Sequence, residues 1–130
     1  MRLSLATLIV PDYDSAIDFY VRRLGFVLVE DTPLGDGKRW VVVRPGAVGS
    51  GLLLAQAADA QQTAAIGNQA GGRVAFFLET EDITADHAQF TANGVHFLEA
   101  IRHESYGEVA VFEDAFGNRW DLIQPRRQAK

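Results

Sequence analysis

The chain has 130 residues, 48% hydrophobic and 22% charged, which suits one globular domain with a real core. Twelve Lys and Arg against 17 Asp and Glu leave a net charge of −5, with a pI near 5.1, and this argues against nucleic acid as a partner because phosphate contacts dominate that affinity. Cysteine is absent, which excludes disulfides, thiolate metal sites and a cysteine nucleophile, and no apolar run approaches the roughly 20 residues needed to cross a bilayer.

The first stretch, "RLSLATLIV", alternates as a strand does, with Leu3, Leu5, Thr7 and Ile9 on one face and Leu8 and Val10 on the other. It lacks a full leader-type apolar region and a small-residue cleavage site, so a cytoplasmic protein is the expectation. "PDYDSAIDFYVRRLG" then switches to helical period, with Ala16, Ile17, Tyr20 and Leu24 on one face. Asp12 or Asp14 is placed to cap its start, and Gly25 to end it in the left-handed conformation. "FVLVED" and "KRWVVVR" read as strands around a turn at Asp36-Gly37, and "LLLAQ" as a third strand after "GAVGSG". Residues 57–72, rich in Ala, Gln and Gly, form a connection with one or two helical turns around Asp59 to Ile66.

The pattern then recurs. "RVAFFLE" is a strand, and "DITADHAQFTANG" is a helix with Asp82 at its start and Gly94 at its end. "VHFLEAI", "GEVAVFED" and "NRWDLIQ" are three more strands. Each half reads β, α, β, β, β, and an internal repeat of half the chain outranks any single motif. The expected architecture is α+β: module 1 over 1–56, the connection 57–72 and module 2 over 73–124. "RRQAK" at the end reads as a solvated basic tail.

Two stretches carry a family likeness: "VPDYDSAIDFYVRRLGF" in the first half and "VAVFEDAFGNRWDLIQ" in the second. They resemble the vicinal oxygen chelate superfamily, the group of glyoxalases, bleomycin-resistance proteins and extradiol dioxygenases. The resemblance implies two βαβββ modules forming a curved mixed sheet around a cleft. It also implies a homodimer and a small organic molecule as the partner. It does not choose among isomerase, lyase, dioxygenase and drug- or metabolite-sequestering members.

In the family's metalloenzymes, four strands each point one ligand into the cleft. Those positions fall here on Leu5, Leu54, Arg73 and Asp121. Only Asp121 can ligate a divalent cation, since leucine has no donor atom and arginine is a permanent cation. A slip in register would bring in Gln56, a poor transition-metal ligand. The expectation is therefore a cleft without the family's metal centre, in which Arg73 pairs with Asp121 or anchors a polar ligand beside it. The alternative is that the pair only fills space.

Other residues compete for a place in the site. His103, Glu104 and Tyr106 lie together in "RHESYGE", where an imidazole that titrates near neutrality can act as a general base. The bland reading is a solvent-facing loop histidine. His87 fits a packed helix position, and His96 begins a strand without a partner at ligand spacing. Trp40 and Arg39, directly after a hairpin turn, and Phe77 are candidates for the wall of an apolar pocket. Trp120 alternates away from Asp121 and belongs to the helix-facing core.

Overall fold

The computed structural model describes residues 1–126 and divides into two compact units, Met1–Gln69 and Ala70 onward. The connection expected over 57–72 is thus mostly part of the first unit. Residues 127–130 of the basic tail lie outside the described residues. Arg126 is tied back, its backbone N–H donating to the Tyr106 carbonyl at 2.8 Å.

In the first unit, β1 (Leu5–Val10) is followed by α1 (Tyr13–Ile17), β2 (Val27–Gly35), β3 (Lys38–Arg44), β4 (Gly51–Gln56) and α2 (Ala60–Ala65). The sheet order is β1-β4-β3-β2, with β1 and β4 parallel and the remaining pairs antiparallel. Leu8, Val10, Val41, Val43 and Leu54 are fully buried on the face toward α1. Asp12 is the cap that the sequence left open: its Oδ1 accepts from the Ser15 N–H at 2.8 Å.

The first helix does not continue as an α-helix. Asp18–Arg23 is π-helical, closed by Leu24 N–H donating to the Phe19 carbonyl at 3.1 Å. The wider turn sets the adjacent Phe19 and Tyr20 both into the core, where a strict 3.6 period predicted Tyr20 alone. Asp36 and Gly37 both have positive φ, as a type I′ hairpin requires.

β1 lies at the edge of its sheet, yet its backbone is not bare. The Gln69 side chain accepts from the Ile9 N–H at 3.0 Å and donates to the Thr7 carbonyl at 2.8 Å, as a neighbouring strand residue would.

The second unit runs β5 (Val74–Glu79), α3 (Ile83–Ala92), β6 (His96–Phe97), β7 (Arg102–Glu104), β8 (Gly107–Glu113) and β9 (Arg119–Pro125). Its sheet order is β5-β9-β8-β6, with β7 also pairing β8 and β5 parallel to β9. Asp82 caps α3, as expected, and Gly94 has positive φ beyond its end. The predicted strand "VHFLEAI" shrinks to two residues, while "RHE", read as loop, is a strand paired with β8. On the helix-facing side Trp120 is buried against Phe112, with ring centroids 5.9 Å apart, and against Phe76 at 4.7 Å. Among the described residues no helix is long and apolar enough to cross a membrane.

Candidate functional site

Strand alternation fixes which side chains can meet on the helix-free face of the second sheet. Trp120 and Leu122 of β9 are buried toward α3, so Asp121 between them projects the other way. Its register partners are Phe77 on β5 and Val111 on β8, which share that face. Phe77 is 69% exposed, an unusual state for a phenylalanine in mid-strand. A cavity of about 550 Å³ opens here, lined by Arg73, Val74, Phe77 and Asp121. Three residues singled out from the sequence, Arg73, Phe77 and Asp121, therefore stand on one wall.

The predicted Arg73–Asp121 ion pair does not form: among the described residues no salt bridge joins them. The guanidinium whose field reaches Asp121 is Arg102. Arg102 itself is held by two carboxylates, its Nε donating to Glu99 at 2.9 Å and its Nη1 to Glu104 at 2.7 Å, with Tyr106 close by. Glu99 also accepts from the Val111 N–H at 3.3 Å. Asp121 is left with its Oδ1 buried and without a hydrogen-bond partner. Burial lifts its carboxyl above the usual carboxylate range, Arg102 draws it back and Glu99 adds to the rise. The sequence reading missed Arg102 and Glu99. The one available signal was the alternation Arg102-His103-Glu104 ahead of a turn, which sends Arg102 and Glu104 to one face.

The same alternation separates the proposed catalytic group. His103 points to the opposite face and stands 3.4 Å from Glu108, with its side chain 77% exposed. Glu104 and Tyr106 gather on Arg102 instead, so the three residues do not form one acid–base site. His87 is packed as expected, its ring centroid 3.9 Å from that of Phe97.

In the first unit, Trp40, Arg39 and Gln56 do line one pocket, of about 250 Å³, together with Leu53 and Gln62. Arg39 is not free to grip a ligand there. It donates through two nitrogens to both oxygens of Asp31, at 3.0 and 2.7 Å, and to Asp14 at 2.9 Å, and it lies over the Tyr13 ring.

The alignment of the family's ligand positions also needs one correction. Leu54 is fully buried on the helix side, opposite Val41, so the helix-free residue of β4 is Leu53. Gln56 has the parity of Leu54 and is not on that face either. Among the described residues no group of three or more His, Asp or Glu side chains is gathered as a metal would need. In the second unit a cation at Arg73 beside the single carboxylate of Asp121 does not fit a transition metal, and in the first unit Leu5 and Leu53 offer no donor atom.

Comparison with known proteins places this geometry. A family model for the glyoxalase/bleomycin resistance protein/dioxygenase superfamily matches residues 2–122. An uncharacterized protein of Shewanella frigidimarina is 52% identical over 119 residues, covering 90% of this chain and 88% of its own length. Among solved structures, UcmS2 superposes with a TM-score of 0.83 at 28% identity, over 95% of this chain and 97% of its own. TnmS3, described as an antibiotic binding protein from Streptomyces sp. CB03234, gives a TM-score of 0.77 at 29% identity, over 97% of each chain. The repeated βαβββ unit, the two mixed sheets and these matches agree, and the chain belongs to the glyoxalase/bleomycin resistance protein/dioxygenase superfamily.

Proposed function

We propose that this chain is a small-molecule-binding protein that seats its ligand on the helix-free face of the second sheet, without a metal. One observation carries the reading: a cavity of about 550 Å³ has an exposed aromatic wall, Phe77, beside a carboxylate with unused hydrogen-bonding capacity, Asp121. That volume lies within the usual range of small-ligand sites, and an apolar wall with a few polar groups is their usual composition. Kinship with an antibiotic-binding structure supports binding rather than turnover. His103 stands on the opposite face from Glu104, so the acid–base trio drawn from the sequence is not assembled beside the cavity.

The test is a thermal-shift screen of purified protein against a panel of aromatic metabolites and antibiotics, with Ni²⁺, Zn²⁺, Mn²⁺ and Fe²⁺ as a separate arm. At a hundredfold excess over Kd a ligand of the native state adds about 2.7 kcal/mol. The expected result is a stoichiometric organic ligand whose shift is lost in Phe77→Ala, and no shift with any metal. Because Phe77 is exposed, that variant keeps its fold. A metal that raises the melting temperature in the wild type but not in Asp121→Ala would overturn the metal-free reading. An organic ligand indifferent to Phe77→Ala would overturn the location.

A further inference from the structure

The cavity beside Phe77 presents two formal charges of opposite sign that do not neutralise each other. Arg73 and Asp121 both line it, yet no salt bridge joins them. Neither has found a substitute. Among the described residues Arg73 makes no ion pair and no side-chain hydrogen bond, and Asp121 Oδ1 is buried without a partner. The nearby cation Arg102 is already engaged by Glu99 and Glu104.

We infer that the ligand of this cavity is an aromatic zwitterion, its anionic end on the Arg73 guanidinium, its cationic end on the Asp121 carboxylate and its ring against Phe77. The inference rests on the reading that this face binds a small molecule, and it names the chemical class. A purely anionic ligand would meet Arg73 but set like charge against Asp121. A purely cationic one would reverse the conflict. A neutral one would leave the buried Asp121 oxygen unpaired and the exposed Arg73 without a counter-charge. A ligand with both ends forms two charge-assisted contacts, each roughly twice as strong as a neutral hydrogen bond, and covers the exposed ring as well.

The groups around Asp121 define how binding responds to pH. They are Arg73 just before β5, Glu99 in the turn before β7, Arg102 and Glu104 on β7, and the cross-strand pair Glu113 and Arg119 on β8 and β9. The arginines stay charged throughout the working range. Burial raises the Asp121 carboxyl, so it takes up a proton earlier on acidification than an ordinary aspartate. The cationic end of the ligand requires the ionised form. Affinity therefore falls as pH is lowered through that titration.

Calorimetry with six probes tests the assignment on the intact chain. L-Phenylalanine and 4-(aminomethyl)benzoate are zwitterions of short and long charge spacing, and 4-methylbenzoate and benzylamine are the half-molecules of the second, as 3-phenylpropanoate and 2-phenylethylamine are of the first. One of the zwitterions is expected to bind at least about tenfold more tightly than either of its half-molecules, the gain of one added charge-assisted contact. Arg73→Gln and Asp121→Asn are each expected to abolish that gain while far-UV circular dichroism stays unchanged. If a half-molecule binds as tightly as its zwitterion in both series, the zwitterion is overturned and the binding site stands. If only uncharged compounds of the screen bind, with Phe77→Ala still abolishing the effect, the outcome is the same. If no compound of any class binds, the site and the zwitterion fall together.

Discussion

Arg39 and Arg102 each sit between two carboxylates, and both are thereby withdrawn from the charges a ligand can use. Arg39 ties β2 and β3 to the start of α1. Arg39→Ala is expected to cost about 1 kcal/mol at neutral pH, the upper end for exposed pairs, because the Asp31 contact is two-pronged. That hydrogen bonding lowers the Asp31 carboxyl below its ordinary value. Its contribution is complete above the unfolded-state value near 3.8 and is lost as pH falls through the lower folded-state value. Acid denaturation curves of wild type and Arg39→Ala should therefore converge at low pH. Asp121 behaves in the opposite sense. Its folded-state carboxyl is raised, so its ionised form opposes folding once pH rises through that value. Asp121→Asn is expected to raise the melting temperature at pH 7 and to leave it unchanged at pH 3. A scanning calorimeter reads both. Neither arginine's commitment was legible from sequence, because Asp14, Asp31 and Arg39 are brought together only by the hairpin and by the fold of α1 onto it.

At the scale of elements, turn chemistry and alternation predicted most of what formed. Asp12, Asp82 and Asp59 cap helices, and Asp36-Gly37 closes a hairpin, because each signal acts within four residues. The π-helical turn at Asp18–Arg23 and the short β7 were not predicted, β7 being one arm of a tight hairpin, Glu104 opposite Gly107, in a segment that reads as loop. Gly107, at the start of β8, gives a sharp test of such packing. Its φ is 151°, and an added Cβ would press on the Gln124 carbonyl oxygen and come within 2.9 Å of the Pro125 Cα. Both are backbone and have no rotamer to yield. Gly107→Ala is expected to destabilise by about 3 kcal/mol or more, measured by urea unfolding, with loss of the β8–β9 register. β2 carries a different burden. All nine of its residues are exposed, among them Val27, Leu28, Val29 and Leu34, and it ends its sheet. We expect it to be covered by a second copy of the chain. Sedimentation should give a dimer for the wild type and a monomer for Val29→Lys. A wild-type monomer would leave β2 unexplained.

Across the whole molecule, the internal repeat was the most informative feature of the sequence, and it fixed the class of fold before any site was considered. The repeat serves the two units unequally. The helix-free position of β4 is Leu53 and its counterpart on β9 is Asp121, while β1 begins with Leu5 where β5 is preceded by Arg73. At these matched positions the polar side chains lie in the second unit. That asymmetry was readable, whereas the number of unpaired charges at the site was not. It depends on Arg102 being captured by Glu99 and Glu104, of which the alternation Arg102-His103-Glu104 announces only the second.

Gln69 carries one more consequence. A single side-chain amide occupies the Thr7 carbonyl and the Ile9 N–H on the outer edge of β1. That edge belongs to "LATLIV", a six-residue stretch without charge or proline and with high strand propensity, the composition that seeds fibrils when its backbone is bare. The amide therefore acts as a stopper against self-templating growth, and its loss need not disturb the folded core. Gln69→Ala is expected to keep its melting temperature within about 2 °C while shortening the lag before thioflavin-positive aggregates appear under agitation. In an organism that makes much of this protein, that one glutamine would bear on its shelf life in the cell more than on its ligand.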